Sequence, residues 1–347
     1  MRRYFEKPED QLSSRVDTEP VCLYLEVTNR CNLLCTTCPR TFEELEPEAD
    51  MSWELFTRIV NGVTSLKRVV LHGVGEPMLV KNLPQMVRYL KDRGVYVLFN
   101  TNGTLLTEQN GQALIDAGLD EMRVSLDAAD ASVFKMVRGK DMFDRIVTNL
   151  RRFRHMQAQQ GLETPRVSMW LTGLRETLDQ LDNFVRLADS INVREIYLQR
   201  MVFFTDNSHG LARAESALFE KTTESEEEVI QRAVTLATSL GVSFNASGAT
   251  EPGTSIKKRA PETKSDTPWS ICRRPWTLMY FTATGRALPC CIAPFSMHGY
   301  ESFTLGDASQ QTLREIWNGP QYQDFRSKLM TTDPPQACAN CGLRWSL

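Results

Sequence analysis

Apolar and polar positions along this chain follow two alternating patterns. Short runs rich in β-branched and other apolar residues recur at Val21–Thr28, Arg68–Gly73, Tyr96–Thr101, Glu121–Leu126, Val167–Leu171 and Glu195–Gln199. Runs of that length bounded by turn residues predict strands. Between them, apolar residues recur at helical spacing over Trp53–Thr64, Leu83–Arg93, Gln109–Ala117 and Leu178–Ile191. Strands alternating with helices predict a parallel sheet with its helices outside. Six such units predict an α/β fold, a partial (β/α)6 TIM-like barrel, whose functional loops gather at the carboxyl ends of the strands.

Beyond the sixth strand the pattern changes. Glu215–Leu240 predicts a further helix and Val242–Asn245 a short strand. Glu251–Pro268 is polar and rich in Lys, Thr, Ser and Pro, which predicts a linker. The remaining segment, from Trp269, predicts a small α+β domain. The expected organisation is an N-terminal extension over 1–20, the barrel over 21–248, a linker over 249–268 and the small domain over 269–347. No repeat of solenoid type stands out.

Composition narrows the function classes. A length of 347 residues suits two domains, and 41% hydrophobic residues support a substantial core. A formal charge of −3 gives no basic footprint, so nucleic-acid binding is not expected. The N-terminus lacks the apolar core of a secretory signal, and no run is long enough to span a membrane. The nine cysteines cluster at the two ends, with none between Cys38 and Cys272. Two metal centres in a reducing cytoplasm fit that distribution better than a disulfide framework.

The first cluster is the most informative motif. Cys31, Cys35 and Cys38 lie in Thr-Asn-Arg-Cys-Asn-Leu-Leu-Cys-Thr-Thr-Cys-Pro-Arg, spaced CxxxCxxC, directly after the first predicted strand. Three thiolates in one short loop can hold three corners of a [4Fe–4S] cubane and leave one iron without a protein ligand. A structural zinc site would want four ligands, and the nearest histidine in sequence is His72.

With this spacing the chain resembles the radical S-adenosylmethionine (SAM) enzymes. The resemblance implies that SAM chelates the open iron, is cleaved by one electron to a 5′-deoxyadenosyl radical, and so removes a substrate hydrogen atom. In that family the residue before the third cysteine is often aromatic; here it is Thr37. The segment Gly73-Val74-Gly75-Glu76-Pro77 follows the second strand and resembles the family's glycine-rich contact to the SAM amino group. Thr101 and Asn102, at the end of the third strand, match ribose contacts, with an Asn-Gly turn as the alternative. Ser125 ends the fourth strand and carries a hydroxyl that the family points at SAM. Asp127 beside it shapes the loop or caps a helix. Arg138 is expected to pair with the SAM carboxylate. Leu171 and Gln199 fit adenine contacts at the ends of the fifth and sixth strands. Glu26, Trp170 and Arg200 face the barrel interior or its mouth, and a charge there needs a partner.

The second cysteine set comprises Cys272, Cys290, Cys291 and the Cys338-Ala-Asn-Cys341 pair. Four thiolates can hold an iron–sulfur cluster or zinc. The segment resembles the C-terminal SPASM and shorter twitch domains of radical SAM enzymes, through Gly285-x4-Cys290, Pro-Cys-Cys and Ile-Trp-Asn. The implied auxiliary [4Fe–4S] ligands are Cys272, Cys290, Cys338 and Cys341. Cys291 is then spare, although the two adjacent cysteines can exchange roles.

The resemblance implies hydrogen abstraction followed by oxidation, with the auxiliary cluster as electron acceptor. It also implies a low-potential electron donor such as flavodoxin or ferredoxin. About 20 residues precede the first strand, which favours a small-molecule substrate over a peptide. Peptide crosslinking or epimerisation, redox-neutral epimerisation or elimination, and a non-catalytic iron–sulfur carrier are the alternatives.

Overall fold

The computed structural model describes residues 12–202, 209–218, 222–247, 269, 272–300 and 303–339. The expected linker and Cys341 lie outside the described residues. The chain divides into two compact units. The first comprises Met1–Asn32, Glu43–Phe99 and Ser265–Cys341; the second comprises Leu33–Phe42, Asn100–Lys264 and Gly342–Leu347.

The first unit contains β1 (Cys22–Leu25), α1 (Trp53–Asn61), β2 (Arg68–Leu71), α2 (Leu83–Lys91) and most of β3 (Tyr96–Thr101). β1, β2 and β3 pair in parallel, with Tyr24 opposite Val70 and Val70 opposite Leu98. Ser52 caps α1 by accepting a bond from the Leu55 backbone N–H, which satisfies a donor the helix start leaves unpaired.

The second unit carries α3 (Glu108–Asp116), β4 (Glu121–Ser125), α4 (Ala131–Arg138), α5 (Phe143–Gln159), β5 (Arg166–Thr172), α6 (Leu181–Ser190), β6 (Glu195–Gln199), α7 (Glu224–Ser239) and β7 (Ser243–Ala246). Its strands pair in parallel in the order β4-β5-β6-β7. Alternation along these strands sorts residues to two faces. Val124, Met169, Leu171, Ile196, Leu198 and Ala246 are buried on one. Ser125, Trp170, Tyr197 and Asn245 stand side by side on the other and are half-buried.

On that polar face, Trp170 stacks on Tyr197 with ring centroids 4.0 Å apart, and the Arg123 guanidinium lies 4.5 Å from the Trp170 ring. Glu121 pairs with Arg123 at 2.6 Å and with Arg166 at 2.9 Å, so the buried charges are matched.

The helix expected over Glu215–Leu240 begins later. Thr223 and Glu226 form a reciprocal capping box that starts α7 at Glu224. Ala217 instead bridges to Leu174, and the Leu218 N–H donates to Gly173 O at 3.0 Å.

The C-terminal segment returns to the first unit. It forms β8 (Leu278–Phe281), β9 (Arg286–Leu288), α8 (Ala293–Ser296), β10 (Gly306–Asp307), α9 (Leu313–Trp317), α10 (Pro320–Leu329) and α11 (Gln336–Ala339). β8 pairs in parallel with β1 along its whole length, and β9 and β10 follow antiparallel. The first unit's strand order is therefore β10-β9-β8-β1-β2-β3. Gly285 turns the β8–β9 hairpin at φ +98°, a conformation that favours glycine.

The arm before β1 is stapled to this segment. Val16 exchanges two backbone bonds with the Asn318 amide, and Trp317 Nε1 donates to Thr18 O. Arg326 is fully buried between the Trp317 and Tyr322 rings and donates to the carbonyls of Pro275, Ser14 and Trp317.

Candidate active site and auxiliary cysteine centre

The cysteine loop follows β1, and the boundary between the two units passes through it. Cys31 belongs to the first unit, Cys35 and Cys38 to the second. All three thiols are half-buried and none is in a disulfide.

In the first unit, the start of the loop is braced from two sides. The Asn29 side chain accepts from the Ala49 N–H at 2.8 Å and donates to Pro47 O at 2.9 Å. The glycine-rich segment supplies the second brace. A Cβ on Gly75 would stand 2.1 Å from Thr28 O and 2.7 Å from Arg30 O, so only glycine admits this approach. The Glu76 N–H donates to Arg30 O at 2.8 Å.

Glu76 is buried, and its carboxylate accepts from the Met78 N–H at 3.0 Å. Gly73 lies against Glu26: a Cβ there would meet the Glu26 side chain at 2.2 Å. The Glu26 carboxylate accepts from the Val74 N–H at 2.8 Å, the Tyr280 hydroxyl at 2.9 Å and the Ala283 N–H at 3.2 Å. Burial pushes its carboxyl up to about 7 despite these donors. Glu26 therefore ties the glycine-rich segment to β8, which answers the expectation that its charge needs a partner.

In the second unit, backbone contacts from α4, from Gly139 at its end and from Leu211 beyond β6 hold the rest of the loop. The Thr36 N–H donates to Val137 O and the Leu211 N–H to Thr36 O. Gly139 ends α4 at φ +75°, and a Cβ there would lie 2.1 Å from Leu34 O. Cys38 N–H donates to Cys35 O at 3.2 Å, and Thr41 Oγ1 donates to the same carbonyl at 2.8 Å.

Arg138 sits between a cluster cysteine and a carboxylate. Its Nη2 lies 2.6 Å from Asp127 Oδ2, and its Nη1 lies 3.6 Å from Cys35 Sγ. Asp127 is buried at φ +64°, and its Oδ1 accepts from the Thr172 N–H at 2.6 Å. Asp127 shapes the loop, while the cap of α4 is Asp130.

The other expected contacts of this unit divide. Thr101 Oγ1 accepts from the Gly103 N–H, and Asn102 Oδ1 accepts from Thr104 N–H and Oγ1, so both side chains build the turn after β3. Ser125 and Gln199 lie on the polar face. The Leu171 side chain points to the opposite, apolar face beside Leu198, which leaves its backbone for a ligand on the polar side. Trp170 and Arg123 were not both legible as a stack, because the pairing crosses two strands.

The second cysteine set lies in the first unit. Cys290 packs beside Cys22, Val70, Leu98 and Leu278, and Cys291 beside Tyr280, Leu288 and Tyr300. Cys290 and Arg274 both lie within electrostatic reach of Cys272 and of Cys291. Burial pushes the Cys272 and Cys291 thiols up to about 11. Cys338 is on α11, whose Ala337 packs into the Cys291 cluster. The donor set is thiolate-rich, which suits iron–sulfur or zinc ligation and not a hard cation.

The profile of the Radical SAM superfamily matches residues 25–188, and that of the SPASM iron–sulfur cluster-binding domain matches 272–342. The chain belongs to the radical SAM superfamily. As a radical SAM enzyme with a C-terminal SPASM domain, it uses SAM and two [4Fe–4S] clusters. It is 28% identical over 186 residues to the tungsten-containing aldehyde ferredoxin oxidoreductase cofactor-modifying protein of Pyrococcus furiosus. That match covers 53% of this chain and 52% of the relative, so the chain spans about half of that protein's length. It is 25% identical over 331 residues to the mycofactocin maturase MftC of Mycolicibacterium smegmatis, covering 93% of this chain and 76% of MftC.

Among solved structures, Streptococcus suis SuiB bound to SAM superposes with a TM-score of 0.67 at 16% identity, covering 90% of this chain and 68% of SuiB. This likeness supports the parallel-sheet α/β fold of the radical SAM partial barrel. No helix among the described residues is long and apolar enough to cross a membrane.

Proposed function

We propose that this radical SAM enzyme oxidises a small molecule, with the SPASM-type cysteine centre as the first electron acceptor. The observation that carries this reading is the grouping of Cys272, Cys290 and Cys291 around Arg274, on the segment whose β8 pairs with β1. Cys272 and Cys290 together with Cys338 and Cys341 would supply four protein thiolates, with Cys291 spare, leaving no open iron for substrate and making electron transfer the natural role.

When bound, SAM and the first cluster supply one-electron cleavage of SAM and hence hydrogen-atom abstraction. The residues of this chain do the rest. Cys31, Cys35 and Cys38 hold the first cluster. The Gly73–Glu76 backbone, Thr101, Asn102, Ser125, Arg138, Leu171 and Gln199 bind and orient SAM, with Asp127 fixing the Arg138 guanidinium. Overall the substrate loses a hydrogen atom, an electron and a proton. The proton goes to water, and a flavodoxin- or ferredoxin-type donor supplies the electron consumed in cleaving SAM.

A second reading, peptide modification, is favoured by one observation. SuiB, which shares the fold with a TM-score of 0.64 at 15% identity, has been solved bound to the precursor peptide SuiA. The deciding experiment incubates the anaerobic, reduced enzyme with panels of carbinol-containing metabolites and of short peptides. A metabolite product lighter by two hydrogens, formed with equimolar 5′-deoxyadenosine, supports oxidation of a small molecule. Conversion of peptides alone supports the second reading, and a product of unchanged mass overturns the oxidative outcome.

A further inference from the structure

One cation of the first unit stands among thiols without an acid. Arg274 follows Cys272 by two positions, and its positive charge opposes the upward shift that burial gives the Cys272 thiol. Its Nη1 is buried with no hydrogen-bond partner, and among the described residues no carboxylate pairs with it. The groups that interact with its charge are Cys291, Cys290, Tyr24 and Cys272. Arg326 differs in its surroundings: its Nε and Nη1 donate to backbone carbonyls and its guanidinium lies over the Trp317 and Tyr322 rings.

A guanidinium stays charged in a protein, and a buried charge is ordinarily paired. We propose that Arg274 is the counter-cation of the auxiliary cluster and raises its reduction potential, so that the cluster accepts an electron from the substrate more readily. This rests on the reading that Cys272, Cys290, Cys338 and Cys341 hold a [4Fe–4S] cluster. A four-thiolate cluster is anionic and becomes more so on reduction, so a fixed cation beside its ligands stabilises the reduced form more. Arg274 touches no substrate in this account; it tunes the centre.

The test uses the full chain carrying Cys31→Ala, Cys35→Ala and Cys38→Ala, so that only the auxiliary cluster remains. Its midpoint is followed by a redox titration monitored by electron paramagnetic resonance. Arg274→Gln is expected to weaken the reduction equilibrium at least tenfold, which for a one-electron couple is about 59 mV lower. Arg274→Lys, which keeps the charge, is expected to stay within about threefold of the parent. Should Arg274→Gln fail to take up iron while Arg274→Lys loads with the parent midpoint, the need for the charge is likewise upheld. Full iron loading of Arg274→Gln with an unchanged or higher midpoint overturns the proposal and leaves the cluster reading intact. Zinc without iron in the parent overturns the cluster reading, and the proposal with it.

Discussion

Replacing Gly75 with alanine tests the most demanding contact at the cysteine loop. The added Cβ would lie 2.1 Å from Thr28 O and 2.7 Å from Arg30 O. Both contacts are with backbone, which has no rotamer to yield. To reach an ordinary separation, the loop or the glycine-rich segment must retreat by about 1 Å, at a cost of about 1–3 kcal/mol. Arg30 immediately precedes Cys31, and a ligand set tolerates displacement of only about 0.5 Å. Gly75→Ala is therefore expected to lose the first cluster and keep the second. Iron after anaerobic reconstitution should fall from about eight to about four per chain, with SAM cleavage abolished. Gly173→Ala is the control, because its Cβ would meet Gln199 O at an ordinary 3.4 Å. A Gly75→Ala protein that binds full iron and cleaves SAM at the wild-type rate would refute the reasoning.

Three further outcomes are expected from the same contacts. The Glu26 carboxyl is raised from 4.5 to about 7, so the folded state holds its proton over a range where the unfolded chain has released it. Stability from this group is full below about pH 4.5 and declines as pH rises to 7. Urea unfolding should show the gap between wild type and Glu26→Gln shift by about 2 kcal/mol, against the wild type, from pH 5.5 to 7. Arg326→Met leaves the buried carbonyls of Pro275, Ser14 and Trp317 without donors and should lower stability by about 2–4 kcal/mol, with no rescue by lysine. Asp127→Asn removes the charge opposite Arg138; 5′-deoxyadenosine formation should drop at least about tenfold while iron content stays at the wild-type level.

Local pattern carried much of the fold. The strands at Tyr96–Thr101 and Glu195–Gln199 were readable to the residue; Gly94 and Asn102-Gly103 bound the first on both sides, and Asn192 lies just ahead of the second. The start of α7 was not: residues 215–223 are as polar and helix-prone as the first turns of α7 itself, and the capping box at Thr223 decides the boundary. Long-range partners were the other blind spot. Tyr280 lies 254 positions from Glu26, and nothing in spacing announces their bond. Sequence marked Glu26 as a charge in need of a partner, and β8 supplies one. The cysteines were legible because ligand spacing is local, whereas Arg274, two positions from Cys272, reads in sequence as an ordinary surface arginine. Thr101 and Asn102 show the converse limit, since one short motif serves the turn and the expected ribose contact alike.

The central claim is tested most directly by SAM cleavage. Anaerobically reconstituted protein, given SAM and a low-potential reductant, is expected to form 5′-deoxyadenosine and methionine in equal amounts. The Cys31→Ala, Cys35→Ala, Cys38→Ala variant should form none while keeping its auxiliary iron. No 5′-deoxyadenosine from wild-type protein with both clusters intact would contradict the account.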